Sequence, residues 1–135
     1  MTYRILFYET ESGNCPVDDF LKELSVAANR PSSESIKEKE TDNEKLINKI
    51  NAAISTLEEK GPLLGPPKAK KLTGSKDIHE LCIKFNRKEY RILWFIQNNE
   101  IIFLHGFQKK TQKTRSNHIN CAEKRKSDWE RRFPK

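Results

Sequence analysis

No apolar run in this chain approaches the roughly 20 residues that a bilayer-spanning helix requires, and apolar residues make up only 35% of the whole. A transmembrane helix is therefore not expected. The cysteines Cys15, Cys82 and Cys121 are odd in number and form no Cys-x-x-Cys pair. That pattern fits reduced thiols in a cytoplasmic protein better than a disulfide framework or a zinc site. His79, His105 and His118 show no ligand spacing, so neither a metal nor a cofactor is expected. There is no nucleophilic triad and no glycine-rich phosphate loop. The amino-terminal MTYRILFYETESG has no small-residue cleavage site, which argues against a secretory signal.

What the chain does have is positive charge gathered in one place. Of its 26 Lys and Arg, 10 fall within residues 105–135 against 3 acidic residues, so that segment carries the entire net charge of +7. Such a local field steers polyanions at low salt, although a solvated basic tail would have the same composition. The stretch LHGFQKKTQKT (104–114) marks the change, beginning as an apolar strand and ending as a basic, hydroxyl-rich segment.

Apolar periodicity sets out the elements. Residues 3–9 (YRILFYE) read as a strand. Pro16 opens an amphipathic helix with Val17, Phe20, Leu21 and Leu24 on one side, and Asp18 and Asp19 suit its first turn. Residues 25–43 hold few large apolar side chains and read as a loop or mobile helical extension. Thr41-Asp-Asn-Glu44 has capping-box spacing before a stripe of Leu46, Ile50, Ile54 and Leu57, and Gly61-Pro62 ends that helix. After the Pro-rich turn GPPKAKKL come three strands, at 78–85, 90–96 and 101–107, joined by short loops. A terminal helix follows Ser116, with Ile119, Ala122, Trp129 and Phe133 as its buried seam. The expectation is a single α+β domain over residues 1–135. It has an antiparallel sheet of about four strands, two amino-terminal helices and one carboxy-terminal helix, in the order β-α-α-β-β-β-α.

A four-residue loop at 86–89 would pair Phe85 with Tyr90 and set Lys84 opposite Arg91, two like charges that an anion would reconcile. Glu80 and Cys82 share their face. A two-residue turn at Asn98-Asn99 would put Gly106 opposite Arg91, leaving room for a ligand. It would also put His105 opposite Ile92 on the core face, a structural position unless a strand-end bulge re-aims it.

Three segments together resemble a known family: the CPVDDFLKEL helix start, the IHELCIKFNRKEYRILWF hairpin, and LHGFQKKTQKT followed by a helix. The chain looks like a toxin of the RelE/ParE superfamily, in the phage-derived HigB-type branch. The resemblance implies a type II toxin that cleaves messenger RNA on the ribosome without a metal. It also implies neutralisation by a helix-turn-helix antitoxin, through which alone DNA would be contacted. By the same resemblance Arg91 stabilises phosphate, Lys109 and Lys110 contact the scissile backbone, and His105 is a proton carrier. Lys84, Lys113, Arg115, Lys68, Lys70 and Lys71 hold RNA. Where the family reads Glu-Leu-Arg, this chain has Cys82, which removes a phosphate ligand. Two alternatives therefore stay open: a catalytically weakened RNA- or ribosome-binding protein, and a ParE-like gyrase inhibitor.

Overall fold

Apolar residues recur through three consecutive segments, and these form the middle of the sheet in the computed structural model, which describes residues 2–26, 42–65, 68–72, 75, 77–109 and 116–134. They are β3 (His79–Phe85), β4 (Lys88–Gln97) and β5 (Glu100–Lys109). β1 (Arg4–Phe7) and β2 (Ala69–Lys71) complete a five-stranded sheet in the order β1-β5-β4-β3-β2. Helices α1 (Pro16–Val26) and α2 (Asp42–Lys60) precede β2, and α3 (Ser116–Arg132) follows β5. The α+β class and the helices stand as expected, but the sheet is mixed, because β1 runs parallel to β5. The additional strand, β2, has one buried residue, Ala69, between exposed lysines, so it carries no alternation to read. Most of the expected loop at 25–43 lies outside the described residues.

Alternation along the strands feeds two cores. Leu81, Ile83, Tyr90, Ile92, Trp94 and Phe103 pack beneath Val17 of α1 and Leu46, Ile50 and Leu57 of α2. Leu93, Phe95, Ile102, Leu104 and Phe107 pack beneath Ala122 and Trp129 of α3. Phe133 is half exposed instead of closing that seam, though its ring lies 4.5 Å from Trp129. Among the described residues no helix is long and apolar enough to cross a membrane.

Two registers differ from expectation. The β3–β4 loop has two residues, Asn86 and Arg87, both with positive φ (50° and 64°). That mirror-image turn matches the strand twist, and it pairs Phe85 with Lys88, Lys84 with Glu89 and Cys82 with Arg91. Lys84 therefore faces a carboxylate and not Arg91. The slip is two residues, one full pleat, so every side chain keeps its predicted face.

The Asn98-Asn99 turn forms as expected, pairing Gln97 with Glu100, but a bulge between Leu93 and Trp94 shifts the register beyond it. His105 now opposes Leu93 and Gly106 opposes Ile92. His105 thus leaves the α1–α2 face for the α3 face. Gly106 takes the reverse route, and the space beside it is filled by Phe20, whose Cδ2 lies 2.5 Å from where a Cβ would stand. The glycine admits a helix and not a ligand. Gly106→Ala should therefore destabilise the fold by about 1–3 kcal/mol, as overpacking does, measured as a lowered urea midpoint with unchanged slope.

Candidate functional site

The α3 face of the sheet carries polar side chains in cross-strand rows. Lys109 of β5, Glu89 of β4 and Lys84 of β3 form one row; Phe107, Arg91 and Cys82 form the next. Glu80 follows on β3, with Lys70 of β2 opposite it. Two carboxylates and four cations thus share one patch of sheet, and Arg91 sits at its centre.

Arg91 is only 7% exposed. Its Nη1 donates to Glu80 Oε1 at 2.7 Å, and Glu80 is fully buried. Its Nη2 donates to Glu89 Oε1, while its Nε is buried with no hydrogen-bond partner among the described residues. A buried guanidinium needs such carboxylates, because desolvating an unpaired charge costs several kcal/mol. Nε and Nη2 form one edge of the guanidinium, the edge suited to two oxygens of a single phosphate. Here that edge is half used.

Around this floor stands a partly open rim. The Glu89 side chain is 36% exposed. Lys109 is partly buried and makes no ion pair within 4 Å among the described residues. Burial, and then the adjacent Arg91 charge, pull its ammonium below the ordinary lysine range. Burial pushes the Cys82 thiol up, despite Arg91, so it stays protonated. Its Sγ lies 3.8 Å from Glu89 Oε1 and acts as a weak donor there.

His105 belongs to a separate cluster under α3. Its Nε2 lies 2.8 Å from His118 Nδ1, and Arg125 Nη1 approaches its Nδ1 at 3.2 Å while donating to the Leu104 carbonyl at 2.8 Å. His118 in turn stacks on Phe107, with centroids 3.8 Å apart. Desolvation, followed by the Arg125 and His118 charges, lowers the His105 pKa to about 4. Since Arg125 can only donate, Nδ1 accepts, and the proton of neutral His105 sits on Nε2 and points to His118.

The remaining lysines divide. Lys70 stands 4.0 Å from Glu80 and joins the Arg91 patch. Lys71 pairs with His79, whose ring stacks on Trp94, so it lies on the opposite face. Lys68 and Lys84 line a cavity of about 280 Å³ at the sheet edge with Lys49 and Thr56 of α2. Lys110, Lys113 and Arg115 lie outside the described residues. Glu80 and Glu89, which organise the centre, were not among the residues expected to form the site. Alternation with Cys82 puts Glu80 on this face, whereas Glu89 was expected in the loop at 86–89 and joins the face only through the shorter turn; nothing in their spacing announced a carboxylate fork. Among the described residues no group of three or more His, Cys, Asp or Glu is placed to hold a metal ion.

Two measurements check this geometry. Glu80→Ala leaves the buried guanidinium with only the partly exposed Glu89 and should cost about 3–5 kcal/mol in chemical denaturation, whereas Lys70→Ala should cost little. Nitrogen-15 shifts should show His105 neutral until the pH approaches about 4. An unfolded histidine protonates near pH 6.5, so this contribution to stability is complete above that value and is lost as the pH falls toward 4.

Comparison with known proteins supplies the family. A search of curated proteins gives no match to this chain. The family described as Phage derived protein Gp49-like (DUF891) matches residues 37–127, which include α2, every strand but β1, and most of α3. The chain belongs to this Gp49-like family, a RelE/ParE-like toxin family of toxin–antitoxin systems.

Proposed function

We propose that this chain is a HigB-type toxin that cleaves messenger RNA on the ribosome as a metal-independent endoribonuclease in the cytoplasm. Family membership implies an antitoxin in general; in this reading it is a helix-turn-helix protein, through which DNA is reached only indirectly. The observation that carries the reading is the convergence of Arg91 and Lys109 in adjacent cross-strand rows on one face of the sheet.

The chemistry needs little more. A ribose 2′-hydroxyl attacks the adjacent phosphodiester, and negative charge builds on the phosphate oxygens as the pentavalent state forms. Cations fixed in advance near those oxygens stabilise that state more than the ground state. Arg91 is fixed by Glu80 from below, and a phosphate that takes its Nε and Nη2 leaves the Glu80 bond intact. Lys109, with Lys110 beside it in sequence, contacts the scissile backbone. Lys70 and Lys84, with Lys68, Lys113 and Arg115, hold the flanking phosphates without reading sequence. Lys71 faces away from this surface. His105, with both nitrogens engaged, positions β5 against α3 and is left out of proton transfer.

A second reading, a binding protein with weakened catalysis, is favoured by one observation: Arg91 already holds two carboxylates and its cross-strand neighbour is Cys82. Expression of the chain alone in bacteria, with messenger RNA 5′ ends mapped, separates the two. New ends within translated frames support the nuclease, whereas RNA or ribosome binding without new ends supports the binding protein. Cys82→Arg adds a guanidinium beside Glu89 and should raise cleavage by up to about 10²-fold, the usual worth of one oxyanion donor. Arg91→Lys is the informative loss, since Arg91→Ala would also remove the guanidinium that Glu80 holds inside the sheet. We expect Arg91→Lys to fold and to lose most cleavage.

A further inference from the structure

Cleavage by a neighbouring 2′-hydroxyl requires two proton movements, one off the attacking oxygen and one onto the leaving 5′-oxygen. No histidine of the Arg91 patch is available for either. Among the described residues the patch holds one carboxylate with an oxygen that makes no hydrogen bond and one ammonium that makes no ion pair. Glu89 Oε1 receives Arg91 Nη2 and lies near the Cys82 thiol, while Oε2 has no hydrogen-bond partner among the described residues. Lys109 is the direct cross-strand partner of Glu89, so their Cβ atoms are roughly 5 Å apart. A carboxylate held at one oxygen until a phosphate displaces it, a proton donor one strand away and a guanidinium in the next row of the same face supply the three groups that the transfer needs.

We propose that Glu89 is the general base that takes the 2′-hydroxyl proton and that Lys109 is the acid that protonates the leaving 5′-oxygen. The assignment rests on the nuclease reading above. The incoming phosphate occupies Arg91 Nε and Nη2, which releases Glu89 Oε1 toward the ribose. The 2′-oxygen–hydrogen bond breaks as its proton passes to the Glu89 carboxylate, and the 2′-oxygen bonds to phosphorus. The phosphorus–5′-oxygen bond then breaks, and a Lys109 ammonium proton completes the new 5′-hydroxyl. The products are a 2′,3′-cyclic phosphate and a 5′-hydroxyl end, and solvent resets both groups. Burial and the Arg91 charge make Lys109 a readier proton donor than an exposed lysine. Among the described residues, the charged or titratable groups facing Glu89 are Arg91, Cys82, Lys84 and Lys109.

A purely electrostatic role makes the opposite forecast. If Glu89 only masks Arg91, its removal frees the guanidinium and cleavage rises. The test is single-turnover cleavage of messenger RNA on bacterial ribosomes by the full chain, over a range of pH. Glu89→Gln should cut the rate by roughly 10²- to 10⁴-fold, with RNA retention equal or better, and should abolish the acid limb of the pH profile. Glu89→Asp, which keeps the carboxylate, should keep part of the rate and the limb. Lys109→Met should be slow on ordinary RNA but recover on RNA with a 5′-bridging sulfur at the scissile bond, because a thiolate leaves without a proton. Glu89→Gln should show no such recovery. Equal or faster cleavage by Glu89→Gln, or no sulfur rescue of Lys109→Met, overturns the assignment. Absence of cleavage by the unaltered chain overturns the nuclease reading itself, and the assignment with it.

Discussion

A guanidinium almost closed off from water sits at the middle of the sheet, held from below by a carboxylate that is itself fully buried. The Arg91–Glu80 pair dictates much of what surrounds it. It demands partners on β3 and β4 at matched positions, which the two-residue turn at Asn86-Arg87 supplies by setting Cys82 and not Lys84 opposite Arg91. It tolerates Lys70 and Lys109 nearby because two glutamates offset them. Such a pair adds little net stability compared with apolar packing. Its use is geometric, since one nitrogen is anchored and the other edge of the fork stays in a defined direction.

The two cores explain how that geometry is maintained. α1 and α2 cover one face of the sheet, so the strands cannot twist freely beneath the charged patch. On the other face α3 packs on the far part of β4 and β5, and its first turn reaches the sheet where His118 stacks on Phe107. Phe107 is the cross-strand partner of Arg91. The His105–His118–Arg125 cluster therefore acts on the patch through packing. His118 holds Phe107, two residues before Lys109 on β5.

Much of the fold was legible in the sequence because its signals are local. Helical stripes, Pro16 at a helix start, Gly61-Pro62 at a helix end and the alternating strands each rest on side-chain period or backbone stereochemistry. What escaped depended on backbone events with no strong side-chain signature. Asn86-Arg87 has no glycine to announce positive φ, so a longer loop looked natural. The bulge beside Leu93 is a single extra residue inside a uniformly apolar run, yet it exchanged the faces of His105 and Gly106. At the candidate site, Arg91 and Lys109 rest on a resemblance of motifs, while the grip of Glu80 and Glu89 on Arg91 emerged only once β3 and β4 were aligned.

In the proposed mechanism Arg91 and Lys109 together hold the scissile phosphate. The most direct measurement is a structure of the chain on a ribosome with messenger RNA blocked by a 2′-O-methyl group. We predict a phosphate oxygen at hydrogen-bond distance from Arg91 Nε or Nη2, with Lys109 on the same phosphate and the Glu80 bond preserved. RNA lying along the Lys68–Lys84 edge instead, with Arg91 still held by both glutamates, would contradict it.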